Sequence, residues 1–350
     1  MIIRNGDERI KTDAIIEKKD SVIIDLPVFD TQFRCVKTKD GFQGNWISHY
    51  RVTKNIIPFI AQWGIKDRFD EKPEGNISVE GNWEVTFSPG QKDSSKSIGV
   101  FYNHEQSGYI TGTFLTETGD YRFLEGVRSG NRLMLSAFDG SHAFLLTADL
   151  FNGEIRNGKF YSGVHWRESW TGRRNKLFRL RKPDEITTLK NPNAEINFQF
   201  PDQSGKMRSL YDKEFINKPV IIQLLGSWCP NCMDESRYLS EVYRKFSSEG
   251  LAVVGLAFEK TNDSKRAAEQ VNKFRVHLGI NYPVLVTPGK DKSAESFPAI
   301  KIDAYPTTLF LNKEHRVVKI FTGFSGPATG GEYKKLKDEM EDLIVKLLHG

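Results

Sequence analysis

The 350-residue chain predicts two domains of different class. Residues 1–185 read as all-β, an antiparallel sandwich or barrel. Residues 196–350 read as α/β, and residues 186–195 as the linker between them. Three observations carry this. Short apolar runs separated by turn dipeptides fill the first half. A polar stretch with two prolines and no periodicity follows. Buried-strand runs alternating with 3.6-period segments fill the rest.

In the first half, Ser21-Val22-Ile23-Ile24-Asp25, Asn82 to Phe87 and Tyr109 to Leu115 are strand-like. Breaks at Asp40-Gly41, Ser107-Gly108, Ser129-Gly130-Asn131, Asp139-Gly140, Asn152-Gly153 and Asn157-Gly158 supply the positive φ that hairpin turns need. No long helical pattern interrupts them, so an antiparallel sandwich or barrel is expected. Arg181-Lys182-Pro183-Asp184-Glu185 through Lys190-Asn191-Pro192-Asn193-Ala194 is the polar break.

Beyond it, Val220 to Leu225 and Leu251 to Phe258 read as buried strands. The first is followed by a helix with Leu239, Val242, Tyr243 and Phe246 on one side. A second helix runs from Ser264 to Leu278. Further strands are expected at Pro283 to Val286 and Thr307 to Leu311, the latter turning through Asn312-Lys313-Glu314-His315 into Val317 to Phe321. A final helix, opened by a Thr329–Glu332 capping box, places Leu336, Met340, Leu343, Ile344 and Leu347 on one stripe. The pattern implies a mixed sheet covered on both faces.

Composition narrows the function classes. Residues 1–190 hold 28 basic and 25 acidic side chains and residues 191–350 hold 22 and 20, so neither half is a basic nucleic-acid arm. No apolar run approaches the roughly 20 residues of a membrane helix, and the mean hydropathy is −0.47. The opening Met-Ile-Ile-Arg-Asn-Gly-Asp-Glu lacks the zones of a secretory signal. The expectation is a cytoplasmic protein or a leader missing from this sequence.

Three cysteines occur, two of them as Cys229-Pro230-Asn231-Cys232, with Cys35 alone. That number excludes a disulfide framework, and a zinc ribbon lacks its second pair, so no metal is expected. Cys229 follows a strand and opens a helix, where free N–H groups and the helix dipole favour a thiolate. A thiol with an ordinary pKa near 8.5 can fall there by one to several units. Cys229 is then the nucleophile and the better leaving group. Cys232, one turn on, can resolve a mixed disulfide, and Pro230 suits a first turn that needs no N–H. Cys35 reads as a small apolar residue of the β core.

Trp228-Cys229-Pro230-Asn231-Cys232 after a strand, with Tyr305-Pro306-Thr307 before a later one, resembles the thioredoxin superfamily over about 150 residues, Asn197 to Leu348. Gly226-Ser227-Trp228-Cys229 and Glu235, three residues after Cys232, look like the TlpA/ResA-like thiol-disulfide oxidoreductases of bacterial envelopes. The resemblance implies a thioredoxin-like fold with Cys229 attacking and Cys232 resolving. Trp228 packs beside the disulfide, and Pro306 is a cis proline that offers the backbone of Tyr305 to a substrate strand. It implies no dissociable cofactor, a disulfide-containing protein substrate, an external dithiol reductant, and a periplasmic or envelope location. Two positions depart from thioredoxin. Gln223 stands where thioredoxin has a buried aspartate, so Glu235 is expected to handle the proton, with Glu259 a second carboxylate. Pro230-Asn231 replaces Gly-Pro.

Two rivals stay open. A thiol peroxidase shares the fold, but Leu225 occupies the position four before Cys229 where a threonine is expected. A ligand-binding envelope protein with a thioredoxin-like scaffold is the other. In the β half, Asp120, Asp139, His142 and His165 would form a substrate or partner docking surface if neighbouring hairpins aligned, although Asp-Gly and Gly-Asp pairs are first of all turns.

Overall fold

Hairpin turns that need positive φ punctuate the first half, and the backbone supplies it: Asn152 and Gly153, both left-handed, join two strands of a computed structural model that describes residues 1–51, 53, 55–75, 77–104, 108–190, 196–289, 297 and 300–350. The expected turn residue Ser107 and linker residues 191–195 lie outside the described residues. The chain divides into two compact units. One is Met1–Thr116 with Tyr121–Leu180, and the other is Arg181–Gly350 with the short segment Glu117–Asp120.

The first unit is all-β. After a small hairpin, Ile2–Asn5 with Glu8–Lys11, comes a five-stranded antiparallel meander. Its strands are β1 (Ile15–Lys18), β2 (Ser21–Asp25), β3 (Thr31–Thr38), β4 (Gly41–Ser48) and β5 (Ile56–Gln62). Eight more strands follow: β6 (Gly81–Phe87), β7 (Ser95–Asn103), β8 (Tyr109–Thr116), β9 (Leu124–Ser129), β10 (Arg132–Phe138), β11 (Ala143–Phe151), β12 (Glu154–Ser162) and β13 (Trp166–Arg174). They close into an antiparallel barrel, because β13 pairs with β6 and β7 with β8. Of the two expected architectures, the barrel is the one formed.

The barrel interior is aromatic. Trp83, Phe87, Phe101, Phe114 and Trp170 are all buried, with Phe114 set edge-on to Trp170 at 5.4 Å. Asn157-Gly158 corrects one expected turn: it is a bulge inside β12, where the register against β13 shifts between Ile155 and Gly158. A Cβ at Gly158 would lie 2.2 Å from the Trp170 carbonyl oxygen, which explains the glycine. Cys35, on β3, is buried with Sγ 3.6 Å from the Val22 carbonyl oxygen, and burial pushes its thiol pKa up.

The second unit is built on a five-stranded mixed sheet. Its strands are β14 (Val220–Leu225), β15 (Ala252–Ala257), β16 (Val284–Val286), β17 (Thr307–Leu311) and β18 (Val317–Thr322), in the order β16-β15-β14-β17-β18. β14, β15 and β16 are parallel, β17 runs antiparallel to β14, and β18 runs antiparallel to β17. Every residue of β14 to β17 is buried, as strands covered on both faces must be.

The helices are α1 (Pro230–Phe246), α2 (Ser264–Leu278) and α3 (Gly331–His349). Asp263 caps α2 by accepting from Lys265 and Arg266 N–H, and left-handed Gly279 ends it. The expected capping box of the last helix does not form. Gly330 is its N-cap, and Thr329 instead donates through Oγ1 to the Gly326 carbonyl at 2.8 Å, in a 3₁₀ turn one residue earlier.

Candidate redox site

The central strand β14 delivers the chain to a short loop, Gly226–Trp228, and then to α1 with Cys229 as its N-cap. Cys229 and Cys232 form a disulfide with Cα atoms 5.2 Å apart. The Cys232 backbone N–H points at Cys229 Sγ, 3.2 Å away. The same donor, with the positive end of the helix dipole, would hold a Cys229 thiolate once the disulfide is reduced. Both cysteines are buried, Cys232 fully and Cys229 nearly so.

Tyr305–Pro306 is a cis peptide bond, and the Tyr305 carbonyl oxygen lies 3.6 Å from Cys229 Sγ. Trp228 stands beside the dithiol, gripped from one strand end. Its Nε1–H donates to the Phe258 carbonyl at 3.0 Å, the Lys260 ammonium sits 3.5 Å from the ring centroid, and Tyr305 meets it edge-on at 5.6 Å. Gly226 allows the approach, since a Cβ there would lie 2.4 Å from Trp228 Nε1. Glu259 is buried but turned to this loop: its two carboxylate oxygens accept from the Ser227 N–H and Oγ–H, both at 2.8 Å.

Glu235 lies one turn beyond Cys232, fully enclosed. Its Oε1 accepts from Thr308 Oγ1 and its Oε2 from Gln223 Nε2, each at 2.8 Å. Burial outweighs these two bonds and pushes the carboxyl pKa up to about 7. The network was not foreseen from the sequence. Gln223, which cannot titrate, accepts at Oε1 from Ser236 Oγ and Tyr282 OH, so its Nε2–H group is directed at Glu235 and, at 3.5 Å, at the Cys232 carbonyl. Tyr282 carries no motif, and Thr308, next after the Tyr305-Pro306-Thr307 run, gives no sign in the sequence of facing Glu235. Because Thr308 bonds the charged form, Thr308→Val is expected to move the Glu235 ionisation upward by about one pH unit, read from the pH profile of dithiol exchange.

The polar residues singled out in the β half do not form one cluster. Asp139 accepts from Ser141 and His142 N–H and pairs with His142 Nδ1 at 3.1 Å, which holds its carboxyl below the usual range despite full burial. Arg51 joins the Ser141 carbonyl to His165. Asp120 folds with the other unit. No group of three metal-ligating side chains occurs among the described residues.

A mixed five-stranded sheet with a dithiol at a helix N-terminus and a cis proline beside it defines the thioredoxin-fold redox class. Residues 193–320 match the sequence model of the AhpC/TSA family, a match confined to the C-terminal half, where the thioredoxin-like fold lies. Its curated relatives are named thiol-disulfide oxidoreductases, as the sequence resemblance implied. It is 32% identical over 127 residues to the thiol-disulfide oxidoreductase ResA of Bacillus subtilis (strain 168), covering 36% of this chain and 64% of that protein. Against ResA of Bacillus thuringiensis subsp. konkukian it is 24% identical over 151 residues, covering 43% and 75%. Among solved structures, a DsbE-type putative thiol:disulfide interchange protein from Chlorobium tepidum aligns at 20% identity and a TM-score of 0.36, over 46% of this chain and 99% of that one.

Proposed function

We propose that the whole protein is a thiol–disulfide oxidoreductase that reduces protein disulfides through Cys229 and Cys232. The observation that carries this reading is the junction of the dithiol, the Tyr305–Pro306 backbone and a buried carboxyl held near neutrality, all in one unit. In the reduced enzyme the Cys229 thiolate attacks one sulfur of a substrate disulfide. That bond breaks, the far sulfur leaves as a thiolate, and a Cys229–substrate disulfide forms. Cys232 then passes its proton to Glu235 and attacks Cys229 Sγ, expelling the second substrate sulfur. Glu235 returns the proton to the departing thiolate. The substrate has gained two electrons, and Cys229–Cys232 is the oxidised product.

Tyr305 offers its carbonyl beside Cys229, where an extended substrate backbone can pair. Trp228 packs edge-on against Tyr305 beside the same opening. Restoring the dithiol takes an external dithiol donor, and the resemblance to the envelope oxidoreductases makes an extracytoplasmic setting part of this proposal. No helix among the described residues is long and apolar enough to cross a membrane. To the β unit we assign partner docking, because it is joined in one chain to a redox unit; His142 and His165, already held by Asp139 and Arg51, carry no part of that assignment.

The test is thiol counting. Pre-reduced protein mixed with insulin should generate two insulin thiols for each Cys229–Cys232 disulfide formed. Peroxide consumption with no insulin thiols would instead favour the peroxidase reading, which the AhpC/TSA match keeps relevant.

A further inference from the structure

Within the redox unit, one segment comes from far away in sequence. Glu117–Asp120 folds with this unit and lies against two stretches near the dithiol, the first turn of α1 and the turn after β18. The first is the pair between the cysteines: Asn231 Nδ2 donates to the Asp120 carbonyl at 3.2 Å. Gly119 (φ +139°) comes so close that a Cβ on it would lie 1.9 Å from Asn231 Nδ2. The second is the turn after β18. There the Gly326 N–H donates to Asp120 Oδ2 at 2.5 Å, and a Cβ on Gly323 (φ +75°) would lie 2.5 Å from the Thr118 backbone. Gly323 in turn donates to the Pro306 carbonyl at 2.8 Å, which ties this turn to the cis-proline loop.

The outer end of the segment is fixed as well. Glu117 takes a two-pronged ion pair from Arg181, at 2.9 and 2.5 Å. Asp120 itself is buried. Two glycines that admit no side chain, a buried charge-assisted bond and a bidentate ion pair are more than a passing contact requires.

Resting on the exchange function proposed above, we infer that Glu117–Asp120 is a built-in wall of the substrate cleft. Through Asn231 and Gly326 it covers the flank of the dithiol formed by the start of α1 and the turn after β18. Disulfides then reach Cys229 from the Trp228–Tyr305 side, which favours a small or extended disulfide carrier over a bulky folded one. Asp120 and Asn231 are positioning residues that set specificity and take no part in the sulfur chemistry.

The test compares kcat/KM for oxidised glutathione and for insulin in the full-length protein, with the unfolding midpoint of each variant recorded. Asp120→Ala removes the acceptor for Gly326, Asn231→Ala removes the other bond, and Asp120→Asn keeps an oxygen acceptor. The ratio of insulin to glutathione activity is expected to rise about threefold or more in the two alanine variants and to stay within about twofold of wild type in Asp120→Asn. Hydrogen exchange at the Gly326 amide should quicken in Asp120→Ala and not in Asp120→Asn. If Asp120→Ala fails to fold, Asn231→Ala decides alone. An unchanged ratio, or equal changes on both substrates, in a folded alanine variant overturns the wall. A wild-type protein that exchanges with neither disulfide brings down the exchange reading itself, and this inference with it.

Discussion

Cys229→Ser is expected to abolish disulfide reduction, whereas Cys232→Ser is expected to leave the first half of the reaction intact and to accumulate protein joined to its substrate through Cys229. This pair of outcomes has the largest expected effect, because each serine removes a bond-forming sulfur outright. In Cys232→Ser the attacking thiolate keeps its helix N-terminus and the backbone N–H at position 232, so the mixed disulfide still forms. Nothing then displaces it. Non-reducing electrophoresis with insulin would show the adduct, and added dithiol would release it. An adduct in Cys229→Ser instead would reverse the two roles. Loss of insulin reduction in Cys229→Ser would also exclude a scaffold that merely keeps the fold.

Glu235→Gln is expected to slow the resolving step on the order of a hundredfold, as the loss of a positioned acid–base group does, and to erase the ionisation near pH 7 from the exchange profile. The same change acts on stability, and the sign is fixed by the direction of the shift. An exposed glutamate in the unfolded chain ionises near pH 4.5, while the folded carboxyl holds its proton up to about pH 7. Between those values the folded state binds the extra proton, so its stability falls as pH rises and levels off above pH 7. Full burial makes this cost of order 3 kcal/mol. Glu235→Gln, which stays neutral, should flatten that decline. Urea unfolding at pH 5 and pH 8 measures it, and an unchanged slope would show that the carboxyl is already charged in the fold.

Much of the C-terminal unit was legible because its signals are local. Val220 to Leu225 and Ser264 to Leu278 match observed elements end for end, since an unbroken apolar run and a capped amphipathic segment each carry their own period. Cys229, Cys232, Trp228 and Pro306 could be read from their neighbours in the chain. Gln223 could be seen as a departure, but its purpose could not. The amide works only because Glu235 and Ser236 on α1, Tyr282 and Thr308 arrive from three different places.

The β half shows the same limit. Alternation located strands such as Asn82 to Phe87 and Tyr109 to Leu115, yet closure into a barrel depends on the pairing of β13 with β6, from Trp170 with Phe87 to Arg174 with Trp83, far apart in the chain. Asn157-Gly158 looked like a hairpin because a bulge and a turn call for the same residues. Asp120 looked like part of a polar patch with Asp139, and only the three-dimensional fold places it beside Asn231.

The central claim is that Cys229 is held as a thiolate near neutrality by the start of α1. The most direct measurement is the rate of iodoacetamide alkylation of the fully reduced protein from pH 4 to pH 10, with the modified cysteine located by mass spectrometry. Modification of Cys229 ahead of Cys232 and Cys35, with a midpoint clearly below the ordinary thiol value of about 8.5, is the predicted result. A midpoint at or above that value, or modification of Cys232 first, would contradict the account.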